Sequence, residues 1–173
     1  MTEASSRFHL SKFRLTDVDE ITRLLQAPAV LEHLAQIPLN YTRADALSYF
    51  EYLQKLEENC PEIASLKFTI RENDTDKAVG RIDLEPESEG WSLGYWLGRE
   101  YWGKGIMSWA CKEILEISRK RGIKKIFANP KCDNWASRKV LEKNGFKLIK
   151  TEQKYFPAHG RSFECCIMEV CLE

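Results

Sequence analysis

Phe8 to Leu15 reads as a first strand, and Thr16-Asp17 follows where a helix running to about Gln26 needs its cap. Pro28 and Pro38 break the next region into a short helix and a loop. Thr42 then caps a second long helix over about Arg43 to Glu58, with Ala46, Tyr49, Phe50, Leu53 and Leu56 as its apolar face and Pro61 closing it. Ser65 to Arg71 and Ala78 to Leu84 read as two strands joined across the polar turn Glu72 to Lys77. Pro86 to Gly90 makes a second turn, and Trp91 to Leu97 supplies a third consecutive strand. Past Gly105 the period changes. Ile106, Ala110, Ile114 and Ile117 recur at helical spacing, with Lys112, Glu113, Glu116, Arg119 and Lys120 on the other side, up to a stop at Gly122. Ile123 to Ala128 is a short strand after a helix, which makes a crossover unit and predicts that it lies parallel to the strand before that helix. Asp133 or Asn134 caps a last helix ending at Asn144-Gly145. A strand starting at Phe146 to Ile149, a loop around Pro157 to Gly160 and a final strand over Ser162 to Cys171 complete the order β-α-α-β-β-β-α-β-α-β-β.

That order predicts an α/β (α+β) class: one domain over residues 8–172, a mixed and mostly antiparallel twisted sheet, and helices on both faces. Its chemistry concentrates in Gly94-Tyr-Trp-Leu-Gly-Arg-Glu-Tyr-Trp-Gly-Lys-Gly-Ile-Met107. A strand that turns through Gly103 and Gly105 into a helix offers unpaired backbone N–H groups at the positive end of the helix dipole, which is a place to hold a phosphate. An ordinary connection with two turn glycines is the plainer alternative. Trp91, Trp96, Trp102 and Trp109 cluster around this turn and suit packing beneath it.

Composition narrows the picture by exclusion. In 173 residues, Lys plus Arg equals Asp plus Glu at 26 each, so no global field favours nucleic acid or an acidic membrane surface. No apolar run approaches a membrane span and the polar N-terminus lacks a signal-peptide core, which points to the cytoplasm. The six cysteines (Cys60, Cys111, Cys132, Cys165, Cys166 and Cys171) contain no C-x-x-C pair, so neither a zinc knuckle nor a thioredoxin-like site is expected, and reduced thiols are favoured over a disulfide framework. Gly98 to Gly105 is a near miss to a P-loop, with Gly105 where the magnesium-binding hydroxyl would stand. A dinucleotide site lacks both its third glycine and its acidic partner.

The turn Tyr101-Trp-Gly-Lys-Gly105, the later run from Asn134 through Ser137 to Gly145-Phe146, and the order of elements together resemble the GNAT acetyltransferases, and among them the RimJ/RimL-like branch. The resemblance implies acetyl-CoA as co-substrate, no metal, and a primary-amine acceptor, either a protein N-terminus or a small amine. It implies a sheet whose two central parallel strands splay apart to admit the pantetheine arm. It assigns the pyrophosphate to Tyr101, Trp102, Gly103, Lys104, Gly105 and Ile106, with Glu100 at the leading motif position. Tyr95, Trp96 and Leu97 pair with the pantetheine, and Asn134 hydrogen-bonds it.

The match fails at the catalytic groups. Many members protonate the departing thiolate with a tyrosine seven residues after the asparagine, but Leu141 stands there; the serine used by the RimL-like branch is matched by Ser137. The branch's two carboxylates are replaced by Ser92 and Trp109. Asp83, Glu85 and Glu89 remain nearby in sequence, and Tyr155 and His159 lie in a segment expected to approach the acceptor groove; a solvated surface place is the plainer reading of each, and a water chain could serve as base instead. Tyr41, Trp91 and Tyr155 are candidate acceptor contacts. The missing carboxylates also motivate a second function, an acyl-CoA-binding module that senses without catalysing.

Overall fold

The computed structural model describes residues 3–173. The chain runs through α1 (Glu3–Arg7), β1 (Phe8–Ser11), α2 (Val18–Leu25), α3 (Pro28–Leu31), α4 (Arg43–Asn59), α5 (Pro61–Ala64), β2 (Lys67–Glu72), β3 (Ala78–Glu87), β4 (Gly90–Leu97), α6 (Ile106–Lys120), β5 (Lys125–Ala128), α7 (Trp135–Lys143), β6 (Lys147–Phe156) and β7 (Arg161–Cys171). The strands form one sheet in the order β1-β2-β3-β4-β5-β7-β6. Every pair is antiparallel except β4 and β5, which the α6 crossover joins in parallel.

The short α1 is absent from the sequence reading, and β2 and β5 each start two residues later than read; three further departures have a local reason. β1 stops at Ser11 rather than Leu15, because its pairing with β2 ends there; Phe13 then turns into a separate core while Leu15 stays exposed. Pro61 ends α4 but also opens α5, occupying the first turn where its missing N–H costs nothing. Pro86 and Glu87 belong to β3 rather than to a turn, and the hairpin closes over Ser88-Glu89 alone. The neighbouring β2 ends opposite Asp83, so at Pro86 that side of β3 is an edge and no ladder hydrogen bond is lost.

The sheet separates two cores. On one face α6 and α7 bury Ile106, Ala110, Ile114 and Leu141 against Ile70, Ile82, Leu84, Leu93, Leu97 and Ile126. On the other, α2, α3 and the start of α4 bury Ile21, Leu24, Val30, Tyr41 and Ala46 with Phe13 and Trp96. Thr42 caps α4 in a reciprocal box with Asp45, but of the expected apolar face only Ala46 is buried. Polar side chains of β3 lie against α4: Arg81 Nη2 donates to Tyr49 Oη at 3.1 Å, and the Tyr49 hydroxyl donates to Asp83 Oδ2 at 3.3 Å.

Candidate active site

The site begins where β4 loses a partner. β4 and β5 pair only at Trp91 with Ile126 and Ser92 with Phe127. From Leu93 to Leu97 β4 still pairs with β3 but no longer with β5. The polar backbone edge opened in this way can accept an extended ligand as an additional strand.

At the end of that edge lies the glycine turn. The Trp102 indole donates to the Leu97 carbonyl at 2.8 Å, fastening the turn to the strand. Gly103 and Gly105 both take φ of 74°, a left-handed conformation, and a Cβ on either would meet no atom within 4 Å. Backbone demand and open space coincide, as they must where an anion approaches the main chain. Gly105 is also the N-cap of α6 and no side chain caps the helix, so its first N–H groups are left for a ligand. Lys104 stands over the Tyr101 ring at 5.6 Å and Arg99 over Trp102 at 4.7 Å. Glu100 looks out of place beside a phosphate site, but Arg23 of α2 pairs with it at 2.6 Å. That hydrogen bond holds the Glu100 carboxyl below its usual range and ties the turn to α2.

Across the gap stands α7. Asn134 caps it, its side-chain oxygen accepting from the Ser137 N–H at 3.1 Å, which leaves the amide NH₂ as the group to offer a ligand. Ser137 Oγ lies 2.8 Å from the hydroxyl of Tyr95, which also donates to the Ser137 carbonyl at 3.2 Å. Burial pushes the Tyr95 phenol far above its usual range, so it stays protonated and able to donate. This contact spans the splay from β4 to α7, and the sequence offers no sign of it beyond two residue names 42 positions apart. Leu141, where the family tyrosine would stand, is buried in the core.

The remaining candidates are dispersed. Tyr41 is buried among Phe13, Val30 and Trp96, and burial pushes its phenol up to about 12. Trp91 is half-buried opposite Pro86 in the β3–β4 ladder, and Tyr155 is 61 % exposed on β6 opposite Ser162. The tip of the β6–β7 hairpin docks on the loop after α3 through Ala158 N–H to Ala35 O at 3.1 Å and His159 Nε2 to Leu34 O at 3.2 Å. Ser92 faces Glu85 across the ladder and Gly94 faces Asp83, while Trp109 is buried in the α6 core. Asp83 is already held by the Phe68 N–H at 3.1 Å, by Arg81 at 2.8 Å and by Tyr49, which suits an anchored carboxylate better than a base. Among the described residues no group of three or more His, Cys, Asp or Glu is arranged to hold a metal ion.

A family model described as an acetyltransferase (GNAT) domain matches residues 7–147. The chain belongs to the GNAT acetyltransferases. It is 25% identical over 161 residues to an uncharacterized N-acetyltransferase p20 of Bacillus licheniformis, covering 91% of this chain and 88% of that one. Among solved structures, the RimL ribosomal L7/L12 alpha-N-protein acetyltransferase in complex with coenzyme A aligns with a TM-score of 0.79 at 19% identity, covering 98% and 96% of the two chains. The microcin C7 self-immunity acetyltransferase MccE, with acetyl-CoA and AMP, aligns at 0.81 and 20% over 98% and 95%. The spermidine N-acetyltransferase of Vibrio cholerae, with CoA and spermine, aligns at 0.77 and 14% over 96% of each chain. At these identities the solved structures establish the shared GNAT fold.

Proposed function

We propose that this GNAT enzyme carries the acetyl group of acetyl-CoA to a primary amine, on a protein N-terminus or a small molecule, as a cytoplasmic, single-domain member of the RimJ/RimL-like branch. The observation that carries the reading is the parting of β4 from β5 after Ser92, with a left-handed glycine turn at the end of the freed edge. In this reading Tyr101 to Ile106 hold the pyrophosphate, the backbone of Tyr95 to Leu97 pairs with the pantetheine arm, and the Asn134 amide donates to it. The amine attacks the thioester carbon and gives up its proton to water leading to solvent, the C–S bond breaks, and the departing thiolate takes a proton from Ser137, which the Tyr95 hydroxyl supports and which regains its proton from the same water. Trp91 and Tyr155 meet the acceptor directly, whereas Tyr41 shapes its groove from within the core. The relatives named for a ribosomal protein and for spermidine support a primary amine as acceptor.

An acceptor screen tests this. Release of CoA is followed with peptides of varied first residue and with polyamines, and the acetylated products are identified by mass spectrometry. Acceptor-dependent release is expected. Tight binding of acetyl-CoA with no acceptor able to raise the release would replace transfer with sensing.

A further inference from the structure

Cys132 and Cys166 are 34 residues apart in sequence, yet their sulfurs stand 2.7 Å from each other. The backbone explains the meeting. The loop between β5 and α7 is laid against β7 as a short antiparallel ladder, with a bridge between Lys131 and Cys165. Cys132 N–H donates to Glu164 O and Cys166 N–H to Pro130 O, each at 2.9 Å. The two cysteines are therefore diagonal neighbours on one face of this ladder, while Cys165 points to the other face. Cys166 is 2 % exposed and Cys132 is half-buried, so oxidant reaches the pair through Cys132. All six cysteines of the chain are free thiols.

We propose that Cys132 and Cys166 form a reversible dithiol–disulfide couple, oxidised by low-molecular-weight disulfides, that controls the cofactor groove. The Cys132 thiolate attacks one sulfur of oxidised glutathione, whose S–S bond breaks and releases one glutathione thiolate. The Cys166 thiolate then attacks the Cys132 sulfur of the mixed disulfide and expels the second glutathione. Two protein thiols are oxidised and one glutathione disulfide is reduced to two thiols.

The consequence for the site follows from what Cys132 is joined to. Its carbonyl accepts from Arg138 Nη1 of α7 at 3.3 Å, and Asn134, the cap of that helix, is two residues on. Closing the sulfurs to a bond of about 2.05 Å draws Cys132 toward β7. The start of α7 moves with it, and Ser137 moves relative to Tyr95, which is fixed on β4. Burial and the neighbouring Cys166 thiol push the Cys132 thiol up, so oxidation quickens as pH rises. This control rests on the acetyl-transfer reading, but the disulfide does not.

The folded protein is incubated with oxidised glutathione, blocked with N-ethylmaleimide, digested without reduction and analysed by mass spectrometry, with acetyl-CoA turnover measured in parallel. A peptide linked through Cys132 and Cys166 is expected, with turnover lowered about tenfold, since small displacements in an active site are costly in rate, and restored by dithiothreitol. Cys132→Ser should keep its turnover in the presence of oxidant. Only mixed disulfides at the exposed Cys60 and Cys171, or a Cys132–Cys166 bond that leaves turnover unchanged, would overturn the proposal. Should the enzyme prove inactive with every acceptor, the linked peptide and a change in CoA affinity on oxidation still decide the matter.

Discussion

A serine hydroxyl is a weak acid, and on its own Ser137 makes a poor donor to a departing thiolate. Its neighbour changes that. The Tyr95 hydroxyl, 2.8 Å away and kept neutral by burial, can hydrogen-bond to Ser137 Oγ and steady the negative charge that grows there as the serine gives up its proton. In the proposed mechanism the two hydroxyls stand in for the single tyrosine that the family places where Leu141 packs in the core. Ser137→Ala is expected to lower kcat roughly 100-fold, in the ordinary range for loss of a general acid, with the KM for acetyl-CoA little changed. Tyr95→Phe should cost less, and the double variant should be no slower than Ser137→Ala alone, because both act on one proton transfer. Steady-state kinetics of the three variants settle it; an unchanged kcat in Ser137→Ala removes the pair from the mechanism. The placement of Ser137 beside Asn134 was legible in the sequence because the two are three positions apart at the start of one helix. Its partner was not, since nothing local in Gly94-Tyr95-Trp96 indicates that this tyrosine reaches another helix across a gap.

At the scale of elements, the most legible feature was the β4–α6 unit, where three local signals agree. An apolar strand ends, two glycines follow, and Ile106 to Ile117 keeps the helical period. The errors fell where a residue's meaning depends on a neighbouring strand. Pro86 has the sequence of a turn but the surroundings of a strand edge, and only the length of β2 decides between them. The splay is expected only from the family resemblance, since the sequence of β5 gives no sign that its pairing with β4 ends after two residues. The glycine turn carries a prediction of its own. Gly105→Ala keeps all the space it needs but forces an L-residue into φ of 74°, which costs about 1–2 kcal/mol. A Cβ there also projects into the space the phosphate would occupy. Thermal unfolding should therefore show a modest loss of stability, while calorimetric titration shows CoA binding weakened by more than that strain accounts for. If CoA affinity is unaltered, the anion does not sit on this turn.

Over the whole molecule, the sheet has two differently built faces. The alternation Lys67-Phe-Thr-Ile-Arg71 suggests a strand with one wet side, which is the usual meaning of such a pattern. In the folded chain Lys67, Thr69 and Arg71 are buried as deeply as Ile70, because α2 and α4 cover that side too. Polar residues under a helix layer must be paired to be tolerated. Arg71 is the largest case. Its guanidinium makes a two-point contact with Asp17 at 2.7 and 2.9 Å, with the side chains 1% and 4% exposed, and it also donates to Asp76 O at 2.6 Å and Ser11 Oγ at 3.1 Å. Asp17 in turn accepts from the Arg14 N–H at 2.8 Å, so one ion pair joins β2, the end of β1 and the entry to α2. The α2 layer also anchors the glycine turn through Arg23 and Glu100, which makes the Arg71–Asp17 pair a support of that turn as well as of the fold. Removing one partner strands a buried charge, and Asp17→Ala should destabilise the protein by about 3–5 kcal/mol in urea unfolding. Replacing both, as Asp17→Leu with Arg71→Met, should recover much of that loss, because the apolar pair leaves no charge to desolvate. A double variant as unstable as Asp17→Ala would show that the hydrogen bonds of Arg71 to Asp76 and Ser11, rather than the pairing of charge, hold the two layers together.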